Sequence, residues 1–211
     1  MSESVSPQLL VRAYTAGIFP MAIPDEGEAI YWFSPDPRAI IPLDAYRIPR
    51  SVRRAVRKSP FATTTDTRFV EVIRACSARA QTWISDEIIR LYTELFRMGF
   101  AHSVETWLDG RLVGGLYGVA VGGAFFGESM YHTVADASNV ALADLIARLL
   151  SSRFLLLDTQ YLTPHLERFG AVEISREAYL QRLGEAIEST TSWNTATGPR
   201  LPSELSARNE T

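Results

Sequence analysis

Apolar positions recur at the helical period in several stretches of the chain. Pro7 opens the first, Leu9, Leu10, Ala13 and Tyr14 share a face, and Gly17 ends it. The spacing predicts further helices over 50–58, stopped by Pro60, over 66–78 through Phe69, Val70, Ile73 and Ala75, and over 86–98, stopped by Gly99. The middle of the chain changes period. Ser103 to Trp107 alternates, Asp109-Gly110 is a hairpin turn, Leu112 to Val119 is the return strand, and Gly122-Gly123 leads to a third strand over Ala124 to Met130. Helical spacing returns over 138–150, followed by a short buried strand at Phe154 to Asp158 and helices near 163–169 and 175–187. Residues 18–42, rich in proline and aromatics, show little period and read as a packed irregular segment or a domain boundary. The tail from Glu188 is polar, carries Pro199-Arg-Leu-Pro202, and is expected to pack loosely or be disordered.

Helices, an antiparallel meander, then helix, strand and helices make an α+β pattern. Glycines at 114, 115, 118, 122, 123 and 127 are dense for a sheet. They mark either bulges and close backbone approach or tight packing against a helix.

The 211 residues suit one domain, or one domain with a small appendage, and at 46% hydrophobic they supply an ordinary core. A net charge of -3 gives no global basic field for nucleic acid, which leaves local patches. Arg47, Arg50, Arg53, Arg54, Arg57 and Lys58 form such a patch, readable as a phosphate anchor or as a solvated helix face. The single cysteine, Cys76, excludes an internal disulfide. Apolar runs such as Phe154 to Leu157 are far too short for a bilayer, and no signal-peptide pattern opens the chain, so a cytoplasmic protein without a membrane partner is expected.

Two acidic residues close apolar strands: Glu128 after Ala-Phe-Phe-Gly, and Asp158 after Phe-Leu-Leu-Leu. Desolvation there raises a carboxyl pKa toward the range of proton transfer. Gln160 shares a side with Asp158 if the backbone stays extended, and the two together could hold an amine or a carbonyl. The competing reading makes Asp158 a cap for the helix near Thr163, or a partner of buried backbone amides. His102, His132 and His165 have no metal-ligand spacing, and no phosphate loop or serine nucleophile elbow exists. Tyr31, Trp32, Phe33 and Trp83 are aromatic platforms that could stack a base or simply pack.

Six motifs follow one another in a familiar order: Ala16-Gly-Ile-Phe-Pro20, Ser34-Pro-Asp-Pro-Arg38, Thr82-Trp-Ile84, Val113-Gly-Gly-Leu-Tyr-Gly118, Phe126-Gly-Glu-Ser-Met130 and Asp158-Thr-Gln160. Together, over about residues 8 to 187, they resemble the leucyl/phenylalanyl-tRNA–protein transferases. The resemblance implies a GNAT-type acyltransferase-like domain over 36–187, a small, shortened N-terminal domain over 1–35, and the polar tail over 188–211. It implies transfer of leucine or phenylalanine, sometimes methionine, from aminoacyl-tRNA to a protein whose N-terminal residue is arginine or lysine, which marks that protein for degradation. It implies no cofactor, neither metal nor acetyl-CoA, and a monomer. Asp158 and Gln160 match the family's proposed catalytic pair, and Trp83 matches an aromatic residue at the terminal adenosine. Glu128, Ser129 and Met130 match the walls of the aminoacyl site; Leu116, Leu142, Leu145 and Leu157 match its apolar lining. Arg50, Arg53, Arg54, Arg57 and Lys58 are the candidate tRNA contacts.

The chain departs from the family's pattern in its shorter N-terminus, in His132-Thr133 where Ser-Arg is usual, in Asn139 where lysine is usual, and in Met21 where many members have tryptophan. These changes bear on tRNA contacts and substrate range. Two other readings stay open: a GNAT-like enzyme using an acyl-CoA, although no pyrophosphate-binding run is visible, and a tRNA-binding relative without activity.

Overall fold

The computed structural model describes residues 5–23, 29–58, 60–79 and 82–193. The element order is α1 (Pro7–Thr15), β1 (Phe19–Ala22), β2 (Ile30–Phe33), β3 (Arg38–Ile41), α2 (Arg50–Lys58), β4 (Ala62–Thr65), α3 (Phe69–Ser77) and α4 (Asp86–Arg97). There follow β5 (Ala101–Leu108), β6 (Arg111–Val121), β7 (Ala124–His132), α5 (Ala137–Ser151), β8 (Leu156–Gln160), α6 (Pro164–Glu167), β9 (Val172–Ile174) and α7 (Arg176–Ile187). Side-chain hydroxyls cap four helices: Ser6, Ser85, Thr163 and Ser175 each accept from a backbone N–H in the first turn.

β1 and β2 make a separate two-stranded sheet. The other seven strands lie in the order β4-β5-β6-β7-β8-β3-β9, a mixed sheet in which β7 and β8 are the parallel pair, joined through α5. Alternate residues feed two cores, as the pleat requires. Tyr117, Phe126 and Leu156 join α1, α3, α4 and α7 on one face, while Leu116, Phe125 and Leu157 join α2 and α5 on the other.

Two irregularities create the site. β7 pairs with β8 over Ala124–Phe126 and Leu156–Asp158 alone; beyond that β7 stays with β6 and β8 stays with β3, so the strands part. Just past the fork, Tyr117 faces Ser129 and Gly118 faces Gly127, which leaves Glu128 as the extra residue of a bulge. The sheet glycines serve both expected purposes. A Cβ on Gly118 would lie 2.2 Å from the Phe126 carbonyl oxygen, a close approach made by the bulge. A Cβ on Gly114 would lie 2.6 Å from the Ala137 Cβ, where α5 begins against the sheet.

Some expectations fail. The described residues of the segment 18–42 are not irregular throughout: they hold β1, β2 and β3, each four residues long and too short to show a period. β4 and β9 also escape sequence reading. The tail does not loosen at Glu188. Trp193 stacks on His102 at 4.7 Å and on Phe125 at 5.3 Å, and its indole N–H donates to Asp66 at 3.0 Å. Residues 194–211, with Pro199 to Pro202, lie outside the described residues. No helix among the described residues is long and apolar enough to cross a membrane.

Candidate active site

The fork between β7 and β8 opens into a cavity of about 810 Å³. Leu116, Met130, Leu142, Leu145, Leu157 and Leu166 give it an apolar wall; Trp83 and Arg79 border it from the connection between α3 and α4. Glu128 and Ser129 from the bulge line it, as do Thr159 and Gln160 from the end of β8. Every wall residue singled out in the sequence therefore borders one space: Trp83, Leu116, Glu128, Ser129, Met130, Leu142, Leu145 and Leu157.

The bulge aims Glu128 and its neighbour Ser129 at the same face of the sheet. Glu128 Oε1 accepts from the Tyr14 hydroxyl at 2.6 Å and Oε2 from the Tyr92 hydroxyl at 3.2 Å. The two phenols are hydrogen-bonded to each other. Ser129 hydrogen-bonds the Cys76 thiol, whose pKa burial pushes up to about 12. Burial raises the Glu128 pKa to about 7; the two phenolic donors pull it back without cancelling the desolvation.

Asp158 is fully buried and does not border the cavity. Its Oδ1 accepts from Arg38 Nε at 3.0 Å and from the Gln160 backbone N–H at 2.9 Å. Its Oδ2 accepts from Arg38 Nη2 at 2.6 Å and from the Tyr179 hydroxyl at 2.8 Å. Burial works against the Arg38 charge, but the hydrogen bonds and charge of Asp158 outweigh it and raise the arginine's pKa. The same guanidinium lies over the Phe19 ring at 4.8 Å and the Tyr179 ring at 4.5 Å, and Nη1 donates to the Gly17 carbonyl at 3.1 Å. Gln160 adopts φ +59°, so the extended backbone that would have set it on the same side as Asp158 does not continue. Its side chain lines the cavity instead, 7% exposed, with Nε2 unpartnered among the described residues. Satisfying a backbone amide, one of the two roles considered for Asp158, is realised at Gln160; the helix at Pro164 is capped by Thr163 itself.

Three more buried polar atoms of cavity residues lack a partner among the described residues: Tyr117 Oη, Thr159 Oγ1 and His165 Nε2. Burial, and then the charges of Arg168 and His132, lower the His165 pKa and disfavour its charged form. A pocket with an apolar wall and several unpaired polar atoms at one fork suits an amphipathic acyl group carried on a polar donor.

Two family descriptions cover the chain: the leucyl/phenylalanyl-tRNA protein transferase N-terminal domain matches residues 3–36, and leucyl/phenylalanyl-tRNA protein transferase matches residues 40–184. The chain belongs to that family. It is 52% identical over 193 residues to the leucyl/phenylalanyl-tRNA–protein transferase of Salinibacter ruber, covering 92% of this chain and 85% of that protein. The same-named protein of Paramagnetospirillum magneticum is 52% identical over 88% of this chain and 91% of its own length. That of Herpetosiphon aurantiacus is 50% identical over 92% of this chain and the whole of its own length. Among solved structures, a functionally unknown conserved protein from Staphylococcus epidermidis aligns at a TM-score of 0.41 and 10% identity, over 82% of this chain and 66% of that one.

Within this transferase family the chain's departures have a local structural account. Where Ser-Arg is usual, His132 Nδ1 meets Ser138 Oγ at 3.0 Å, and the Thr133 hydroxyl donates to the Val113 carbonyl at 3.2 Å. Where lysine is usual, Asn139 donates to Asp136 at 2.9 Å inside the first turn of α5. Short polar groups bonded to their own surroundings thus occupy these positions. The basic run forms α2: Arg50, Arg54 and Arg57 are exposed, Arg53 Nε donates to the Ile48 carbonyl at 3.0 Å, and Lys58 ends the helix. α6 links this helix to the cavity, since His165 and Leu166 line the cavity and Arg168 donates to Ser51 at 2.9 Å. Sequence reasoning missed Arg38, Tyr179, Tyr14 and Tyr92. Each tyrosine sits on an apolar helix face and reads as core. Arg38 had a signal, a cation opening the apolar run Arg-Ala-Ile-Ile, which predicts a buried charge in search of an acid.

Proposed function

We propose that this transferase moves leucine or phenylalanine, with methionine as a further donor, from aminoacyl-tRNA to the N-terminal arginine or lysine of acceptor proteins in the cytoplasm. In this reading it works as a monomer with a GNAT-type transfer domain and without a cofactor. The observation that carries it is the cavity at the fork, which joins an apolar wall to the amide of Gln160, whose nitrogen lacks a partner among the described residues, and the carboxyl of Glu128. The aminoacyl side chain lies along Leu116, Met130, Leu142, Leu145 and Leu157, and Trp83 stacks the terminal adenine. Glu128 and Ser129 border the reacting groups.

The donor ester is already activated, so the enzyme's main contributions are proximity and a neutral amine. An α-amino group titrates near pH 8, and modest help suffices. The amine nitrogen attacks the ester carbonyl, the bond to the ribose oxygen breaks, and the proton lost by the amine balances the one gained by that oxygen. Gln160 orients the amine or the carbonyl; Asp158 acts behind it, through the peptide N–H it accepts and the polarity it imposes. Arg50, Arg53, Arg54, Arg57 and Lys58 meet the tRNA's phosphates.

The deciding experiment mixes purified protein with labelled Leu-tRNA or Phe-tRNA and acceptors beginning with Arg, Lys or Ala. Transfer to the Arg and Lys acceptors alone is expected. Binding of charged tRNA without transfer, or acylation from an acyl-CoA, would replace this reading with one of its alternatives. Val-tRNA should react about 10–200-fold less well than Leu-tRNA, since branching at Cβ crowds the wall and a methylene-sized misfit costs about that much. Reversing Arg50 and Arg54 to glutamate should weaken tRNA binding and lower its log–log salt slope by about 0.7–0.9 per lost phosphate contact, while an aminoacyl-adenosine donor is used as before. An unchanged slope would make α2 a solvated face.

A further inference from the structure

Asp158 has four hydrogen-bond donors around its two oxygens: Arg38 Nε and the Gln160 N–H on Oδ1, Arg38 Nη2 and the Tyr179 hydroxyl on Oδ2. A carboxylate offers about four lone-pair sites, so none is left to take a proton from a substrate. It is also sealed from the cavity. The cavity residue its side chain hydrogen-bonds is Gln160, a non-glycine residue at φ +59°, a conformation that costs an L-residue about 1 kcal/mol or more and persists where surroundings impose it. What imposes it is the Oδ1 acceptor, and what holds that acceptor is Arg38 and Tyr179. Arg38 is itself fixed from three sides, by the Gly17 carbonyl, the Phe19 ring and the Tyr179 ring.

We propose that Arg38 and Tyr179 are positioning residues: they clamp Asp158 so that it holds Gln160 in its left-handed conformation with the side-chain amide in the cavity, and they affect aminoacyl transfer through Gln160 alone. The clamp makes the turn at Gly17–Phe19 and helix α7 part of the machinery of β8, although neither lines the cavity. The inference rests on the proposed placement of Gln160 at the reacting groups, and its test separates the two.

Four proteins are compared: the wild type, Gln160→Ala, Tyr179→Phe and the double variant. Tyr179→Phe removes one donor to a buried carboxylate without opening a void. It should lower kcat about 10-fold, the worth of one charge-assisted hydrogen bond, while KM for aminoacyl-tRNA stays within about two-fold. In the Gln160→Ala background the same change should have no further effect on kcat, because the two act in series. Multiplying losses, or an unaltered kcat in Tyr179→Phe, would overturn the clamp. A structural readout stands apart from activity: hydrogen exchange of the Gln160 backbone N–H should speed up in Tyr179→Phe and in Arg38→Lys, whose point charge cannot replace the bidentate guanidinium. Unchanged Gln160 protection in Tyr179→Phe overturns the clamp even if Arg38→Lys does not fold. A fully active Gln160→Ala enzyme with the expected loss of protection would instead remove Gln160 from the reaction and leave the clamp as a device of the fold.

Discussion

The two strands that part at the fork carry a carboxylate each, and the chain treats them in opposite ways. At the end of β8, Asp158 meets a guanidinium, a phenol and a backbone amide, and every lone pair is used. At the bulge of β7, Glu128 meets two phenols and, among the described residues, no cation in contact, with the cavity beside it. The first arrangement fills the carboxylate's acceptor sites with fixed donors; the second leaves the carboxyl with a pKa raised to about 7. Burial alone therefore does not say what a carboxylate is for. The donors around it decide whether it holds structure or exchanges protons and ligands.

The sharpest way to break this comparison is to delete each group in turn and follow stability. Asp158→Ala leaves the Arg38 charge buried and unpaired, a change expected to cost about 3–5 kcal/mol, so the protein should lose much of its thermal stability together with activity. Glu128→Gln should behave differently, with a sign that depends on pH. The native pKa of Glu128 lies above its unfolded value of about 4.3, so the native state holds the proton more tightly. Its favourable contribution is complete below about pH 4.3 and is lost as pH rises through about 7. Wild-type stability relative to Glu128→Gln should thus fall between those limits, by up to about 4 kcal/mol, a figure that solvent in the cavity reduces. Thermal unfolding of both variants at pH 4.5 and 8 checks this; equal losses for Asp158→Ala and Glu128→Gln at pH 8 would erase the contrast.

How much of this was legible in the sequence follows from the same two strands. The period-two meander over β5 to β7 and the helical stripes of α3, α4 and α5 were readable because each runs long enough to repeat its pattern. The strands β1 to β4 and β9, three or four residues each, were not. Both carboxylates stood out as acids closing apolar runs, yet their different fates depended on partners distant in the chain. Arg38 lies 120 residues from Asp158, and Tyr14 lies 114 residues from Glu128. The bulge that turns Glu128 toward its phenols is a matter of register with β6, and the left-handed Gln160 depends on a single acceptor; neither leaves a mark in spacing.

The contrast sharpens when activity is followed against pH. If the ionised Glu128 borders a cationic or amine group of the substrate, kcat/KM should rise through a step near pH 7 that belongs to Glu128, distinct from the rise near pH 8 expected of the attacking α-amine. Glu128→Gln should remove the lower step and leave the upper one, and Tyr179→Phe should lower the whole profile without moving either. A lower step that survives in Glu128→Gln would assign it to another group.

The smallest effect tests what tunes Glu128. The Tyr14 hydroxyl, at 2.6 Å, stabilises the charged form and is the stronger of the two phenolic influences that lower its pKa against desolvation. Tyr14→Phe deletes that donor and keeps the ring, which packs on Phe126 at 4.8 Å, so the apolar core should hold. The carboxylate then keeps Tyr92 alone, and the step in the pH profile should move to higher pH, toward and into the amine's own titration. Tyr92→Phe, which removes the longer bond at 3.2 Å, should move it in the same direction by less. The measurement is kcat/KM from pH 5.5 to 9 in the two variants. A step that moves down, or moves more in Tyr92→Phe, would mean that the phenols act on Glu128 through their mutual hydrogen bond rather than as separate donors. That would make Tyr14, Tyr92 and Glu128 one titrating unit, unlike the permanently paired Asp158 across the fork.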